Sequence, residues 1–321
     1  MNLARPRRRA TPHGLLATIN ELARLEVAEV DGSGRSLLLY RGEEPAALQH
    51  LTGDADRLDR FLNLMPDNLK DLRVLELGAN PYILTYALAR RGVSVVANGL
   101  PRGDGVSASA TESVRFADSR AQTVLELPLV RFNVESDPFP FADESFDVVI
   151  CGEIIEHLPH GPHGMLFESN RVLRSGGRLL LSTPNSVSLA RLIAIFRGTN
   201  PDWPFSDQGL FGRHNRNYTL QELEDLLRGN GFEPLVEEGI TFFHNRSWYA
   251  PGPLGAAKWL AMITVQRVLS AHSVRLRRWA EGLVVTGTKV GDPRLYRPAW
   301  LYGSADSIPM IAREESGRES H

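Results

Sequence analysis

Two kinds of hydrophobic spacing follow one another along this chain, and they divide it. Near the start, Leu15, Leu16, Ile19 and Leu22 recur at helical spacing. Leu25, Val27 and Val30 then lead into Asp31–Gly32–Ser33–Gly34, and Leu37–Leu38–Leu39–Tyr40 follows. Two apolar segments around a glycine-rich turn predict a hairpin. A second helical pattern runs through Leu58, Phe61, Leu62 and Leu64 until Pro66 interrupts it. From about Leu72 short apolar runs alternate with helical stretches, the pattern of a parallel α/β sheet. Strands are predicted at 73–77, 93–97, 129–132, 146–151, 178–182, 232–241 and 283–288. Helices are predicted over 83–91 and 166–173. Another opens on the capping box Thr219–Leu220–Gln221–Glu222 and runs to Arg228. The stretch 101–123 reads as irregular and polar.

The predicted architecture is a doubly wound, Rossmann-like α/β core over 71–290, with a mostly parallel seven-stranded sheet. An N-terminal extension, 1–70, precedes it and a C-terminal tail, 291–321, follows. A helical insert, 251–281, stands before the last strand. Its apolar stretch from Trp259 to Leu269 gives way to Arg275, Arg277 and Arg278. That pattern fits a lid or a contact between copies of the chain. Peripheral contact with an anionic membrane is the alternative.

Composition narrows the choice. The 321 residues are 42% hydrophobic, enough for a sizeable core. The net charge of −2 gives no global electrostatic case for a nucleic-acid partner. Cys151 is the only cysteine, so no intrachain disulfide can form, and a reducing, cytoplasmic setting is expected. The basic start, Arg7–Arg8–Arg9, is not followed by the apolar run of a signal peptide. No stretch is long and apolar enough to span a bilayer.

Two places carry candidate chemistry. The first is Val74–Leu75–Glu76–Leu77–Gly78–Ala79–Asn80, a strand ending in an acid and a glycine. Gly78 lets the backbone turn sharply and approach a ligand, and the next helix offers free N–H groups. Glu76 can neutralise a cationic part of that ligand. The full dinucleotide fingerprint is absent, because Asn80 and Tyr82 occupy its later positions. The second is Glu153–Ile154–Ile155–Glu156–His157, directly after a strand. An α-helical turn would place Glu153, Glu156 and His157 on one face. Clustered carboxylates repel unless something positive lies between them, so a divalent cation is a natural occupant. His214, on a loop before the capped helix, is the fourth candidate ligand.

Taken in order, several segments resemble the class I S-adenosylmethionine-dependent methyltransferases. They are Val74–Asn80, Phe132–Glu135, Pro138–Val149, Glu153–Leu158, Arg171–Gly177 and Ser182–Asn185. The resemblance implies that S-adenosyl-L-methionine is the cofactor. It implies that Glu76, Gly78 and Ala79, with Asn80 beside them, line its methionine end. Asn98 would meet the ribose, Asn133 and Val134 the adenine, and Cys151 and Gly152 would close the pocket. Families of this kind usually carry an acid after the second strand, and this chain has Asn98 and Gly99 there. The Glu-x-x-Glu-His cluster with a distant histidine is similar to that of small-RNA 3′-end 2′-O-methyltransferases. A comparable cluster occurs in ubiquinone-pathway O-methyltransferases. The resemblance implies Mg²⁺, Mn²⁺ or Zn²⁺ held by Glu153, Glu156, His157 and His214, gripping acceptor hydroxyls. Without a metal, His157 or His214 would be the general base, with Glu156 beside it.

The leading expectation is therefore O-methylation of a sugar, glycoside or oligosaccharide. The segments around Ser182–Asn185 and His214–Tyr218 resemble bacterial glycan methyltransferases. Methylation of RNA 3′ ends and non-catalytic cofactor binding are the alternatives. A homo-oligomer is compatible with either form of the enzyme.

Overall fold

The computed structural model describes residues 15–41, 44, 55–101, 112–118, 123–202, 212–240 and 278–303, with scattered positions between 255 and 265. The strands are β1 (Glu26–Val30), β2 (Ser36–Arg41), β3 (Arg73–Leu77), β4 (Ser94–Gly99) and β5 (Glu112–Asp118). They continue as β6 (Thr123–Arg131), β7 (Phe146–Gly152), β8 (Leu173–Pro184), β9 (Phe232–Ile240) and β10 (Gly282–Lys289). The helices are α1 (Leu15–Leu22), α2 (Ala55–Leu64), α3 (Ile83–Ala89) and α4 (His163–Val172). Then come α5 (Leu189–Phe196), α6 (Leu220–Gly229) and the short α7 (Ala299–Tyr302).

All ten strands form one sheet in the order β2-β1-β5-β6-β4-β3-β7-β8-β10-β9. The five strands from β6 to β8 are parallel, and β10 runs antiparallel to both β8 and β9. This is the expected α/β fold, and the seven contiguous strands from β6 to β9 are the seven predicted. The strands of the parallel part bury both faces, which is why they read as continuous apolar runs. Val148 and Ile150 face the layer holding Leu58, Phe61, Tyr82 and Leu88. Val149 and Cys151 face the layer holding Met165, Leu166, Leu223 and Leu226.

The structure departs from the sequence reading in three places. The stretch taken as irregular contains β5, which pairs antiparallel with β6 and with β1. Only Val114 and Phe116 give β5 an apolar face, too little to announce a strand in a polar segment. Through β5, the predicted hairpin β1–β2 becomes part of the central sheet. Strand β8 starts at Leu173, so chain leaves α4 directly into the strand instead of after the Gly176–Gly177 pair. The predicted α-helical turn at Glu153–His157 is a single 3-10 turn over Ile155–His157.

At the other end, residues 291–303 pack against α6. The Tyr296 hydroxyl and Trp300 Nε1 both donate to Asp225 Oδ2, at 2.9 and 2.7 Å. No helix among the described residues is long and apolar enough to cross a membrane. Most of the insert at 251–281 lies outside the described residues, as do Trp203, Phe205 and Phe211.

Candidate active site

The carboxyl ends of β3 and β7 open onto a cavity. Glu76, Gly78, Ala79, Asn80 and Gly152 line it, so five of the expected cofactor residues converge. Gly78 has φ +58°, and a Cβ there would lie 2.2 Å from the Ile154 side chain. The backbone angle favours glycine, and any side chain there would have to displace Ile154. Gly152 is tight for another reason: a Cβ would lie 3.0 Å from the Phe61 ring.

That ring belongs to α2, which supplies Arg57, Leu58 and Phe61 to the cavity wall. The apolar spacing of this helix predicts its burial and gives no sign of its place in the cavity wall. The available signal was Arg57, a cation in the first turn of an amphipathic helix just before the first parallel strand. Arg57 lies 3.9 Å from Glu153 Oε1 and its charge also reaches Glu76 and Glu156. Glu76 is buried, and its Oε2 accepts from Thr85 Oγ1 at 2.5 Å. Burial pushes this carboxyl up to about 7, against the opposing pull of Thr85 and Arg57.

The other expected cofactor residues have their polar groups committed elsewhere. Asn98 is buried, and its Oδ1 accepts from the Gly78 N–H at 3.1 Å. Its Nδ2 donates to the carbonyls of Gly99, Val130 and Phe132. The amide thus ties the ends of β3, β4 and β6 together, which commits both of its N–H donors to backbone carbonyls. Asn133 Oδ1 accepts from the Glu135 N–H, and its own N–H donates to Asp137. Val134 is buried in the core, and the Cys151 thiol lies against Met165 Sδ at 3.4 Å.

Beyond β7, the 3-10 turn carries the second group. Glu156 is fully buried; its Oε2 accepts from Thr183 Oγ1 at 3.0 Å, and its Oε1 has no hydrogen-bond partner. Burial and the neighbouring Glu153 charge push this carboxyl well above its ordinary range. Glu156 Oε1 lies 3.9 Å from His157 Nε2. The loop 212–218 is stitched to the turn from the other side. The Asn215 and Arg216 N–H groups donate to the Glu156 carbonyl, and Asn215 Nδ2 donates to that of His157. This brings His214 edge-on to His157, with ring centroids 4.8 Å apart. Glu156, His157 and His214 each offer a ligand atom within 4.8 Å of the others.

Glu153 is the exception among the four expected ligands. It takes φ +57°, and its Oε1 accepts from Ser182 Oγ at 2.7 Å. Because the turn is not α-helical, this carboxylate points to Ser182 and Arg57 instead of joining the three. His160 and His163 stand apart too, held by Glu135 and Tyr302.

The two site imidazoles are set neutral. His157 Nδ1 faces the Arg213 carbonyl oxygen at 3.0 Å, which assigns the proton to Nδ1 and the lone pair to Nε2. Burial lowers the pKa of His157. Burial, then the unfavourable proximity of a second imidazole, His157, brings His214 down to about 4.

A family model described as a methyltransferase domain matches residues 48–238, from before α2 to within β9. The chain belongs to the methyltransferase-domain family. A ubiquinone biosynthesis O-methyltransferase of Cereibacter sphaeroides is 28% identical over 211 residues, covering 62% of this chain and 75% of the relative. One from Hahella chejuensis is 32% identical over 180 residues, 52% of this chain and 69% of that one. A putative methyltransferase from Bacillus halodurans superposes with a TM-score of 0.46 at 16% identity, over 73% of this chain and 99% of that one. The chain is a methyltransferase. In this methyltransferase the cavity and the Glu156 group sit on neighbouring strand ends, where doubly wound sheets place their ligands.

Proposed function

We propose that this methyltransferase methylates a hydroxyl of a ubiquinone precursor, with Glu156, His157 and His214 beside the reacting oxygen. The observation that carries the reading is the buried, unpartnered Glu156 Oε1 facing two neutral imidazoles. The sequence pattern leads to a sugar acceptor. The relatives are named for ubiquinone biosynthesis instead, and the acceptor assigned here follows them.

In this reading Glu76 pairs with the ammonium of the cofactor's methionine part and Arg57 with its carboxylate. Both side chains line the same cavity and carry the matching charges. Gly78 allows the backbone to approach. Without a metal, His157 Nε2, with its proton fixed on Nδ1, takes the acceptor hydroxyl proton as the oxygen attacks the sulfonium methyl. The C–S bond breaks as the O–C bond forms, leaving the thioether.

The three side chains also fit one divalent cation. A buried oxygen without a partner and two neutral imidazoles form a mixed donor set suited to Zn²⁺ or Mn²⁺, with Mg²⁺ less so. Such an ion, when bound, lowers the pKa of a coordinated hydroxyl and orients it. Glu153, committed to Ser182 and Arg57, is left out of the ligand set.

Calorimetry with S-adenosylhomocysteine and metal analysis of the purified chain test this together. We expect binding of the thioether that survives excess EDTA, and turnover that does not. Full activity in EDTA would leave His157 or His214 as a metal-free base. No binding of S-adenosylhomocysteine would remove the cofactor assignment.

A further inference from the structure

The hairpin β1–β2 lies ahead of residue 48, where the family match begins. Two of its side chains nevertheless reach the cofactor loop. Tyr40, on β2, donates its hydroxyl to the Pro81 carbonyl at 2.8 Å. Glu29, on β1, accepts through Oε1 from the hydroxyl of Tyr82. Pro81 and Tyr82 are consecutive, and Pro81 lines the cavity with Gly78, Ala79 and Asn80.

Tyr82 shows why the loop needs holding. It has φ +64°, a left-handed conformation that is unfavourable for a bulky residue. Its ring is fully buried, and the Tyr82 N–H turns back onto the Ala79 carbonyl. Glu29 is itself fixed: its Oε2 accepts from Arg131 Nη2 at 2.5 Å, and Arg131 Nε donates to Glu112 at 2.7 Å. The carboxylate is therefore held in place by Arg131, and charge-assisted hydrogen bonds are the stronger ones. At its near end the loop is secured by Asn98, which binds the Gly78 and Ala79 N–H groups through Oδ1 and its carbonyl. The hairpin secures the far end.

We propose that Glu29 and Tyr40 are positioning residues for the cofactor, and that this strand pair sets cofactor affinity through Pro81 and Tyr82. The proposal rests on the cofactor reading above. Its residues touch the loop, not the ligand.

The test is calorimetry with S-adenosylhomocysteine on the full chain. Tyr40→Phe deletes one half-buried hydroxyl and should weaken binding about three- to tenfold, the worth of one hydrogen bond. Glu29→Gln should weaken it more. Val27→Ala is the control. It trims a buried residue of the same hairpin that faces the core, so it should lower the thermal midpoint and leave affinity unchanged. If Tyr40→Phe binds like wild type, the inference fails. It also fails if Val27→Ala weakens binding as much as Tyr40→Phe does, because the hairpin would then act only through general stability. A wild-type chain that does not bind S-adenosylhomocysteine removes the cofactor reading itself, whereas a failure confined to the variants removes only this inference.

Discussion

The loop after β3 and the turn after β7 stand at neighbouring strand ends, and they are finished differently. The β3 loop is tied at both ends, by Asn98 and by the hairpin, and the Glu76 carboxylate has Thr85 as a partner. The β7 turn is stitched through its backbone carbonyls to the 212–218 loop, yet one oxygen of its buried carboxylate is left without a partner. A loop that only has to hold a ligand can satisfy its own polar groups. A buried oxygen left unmade costs about 1–3 kcal/mol or more, and it is kept where another group completes it. On the proposed function, binding and chemistry are divided between two strand ends, and single substitutions should separate them.

The largest effect is expected at the turn. Glu156→Ala removes the unpartnered oxygen and one corner of the Glu156–His157–His214 group. Turnover should fall by about 10²–10⁴, the range for losing a positioned acid–base or metal-holding group. S-adenosylhomocysteine affinity should change by less than about threefold, since Glu156 does not line the cavity. Parallel kinetics and calorimetry check both. A large loss of cofactor affinity would mean that the two strand ends are one site.

The reverse pattern is expected at the loop. Gly78→Val places a β-branched residue at φ +58°, with its Cβ against Ile154. The strain and the clash together should shift the loop and weaken cofactor binding on the order of a hundredfold. The chain should still fold, with a lower thermal midpoint. Calorimetry beside circular dichroism gives the answer, and unaltered affinity would break the comparison from this side.

These two strand ends were not equally legible in the sequence. Arg73–Leu77 is a strand with the predicted bounds, because the four successive residues Val74–Leu77 must satisfy two buried faces. The Thr219 capping box is present with both of its hydrogen bonds, because it is a purely local device. What the sequence hides is long-range. Glu156 and His157 sit next to His214 only because Asn215 and Arg216 bond the turn across the fold. Glu153 leaves the ligand set because a 3-10 turn replaced the helical one, and residue spacing is the same in both cases. Asn98 matches the expected position and is turned inward by three carbonyls that no motif lists. Arg57 and Phe61 come from a helix whose apolar period reports burial and is silent about what it covers.

The smallest effect concerns Glu76 and sharpens the binding side. Burial holds this carboxyl near 7 in the ligand-free chain. A raised carboxyl pKa favours the folded state when the group is protonated. Its contribution to stability is complete below the unfolded value of 4.5 and is lost as the pH rises through about 7. The bound ammonium requires the opposite, an ionised Glu76. Cofactor affinity should therefore be full at pH 8 and about tenfold weaker at pH 6, as the carboxylate is protonated. Over that window the contribution of Glu76 to ligand-free stability moves the other way. Glu76→Gln should bind weakly throughout and lose the pH dependence. Calorimetry across pH 6–8 with the wild type and this variant measures the effect. A flat wild-type profile would mean that Glu76 does not meet the ammonium, leaving Arg57 as the charged contact of the cavity.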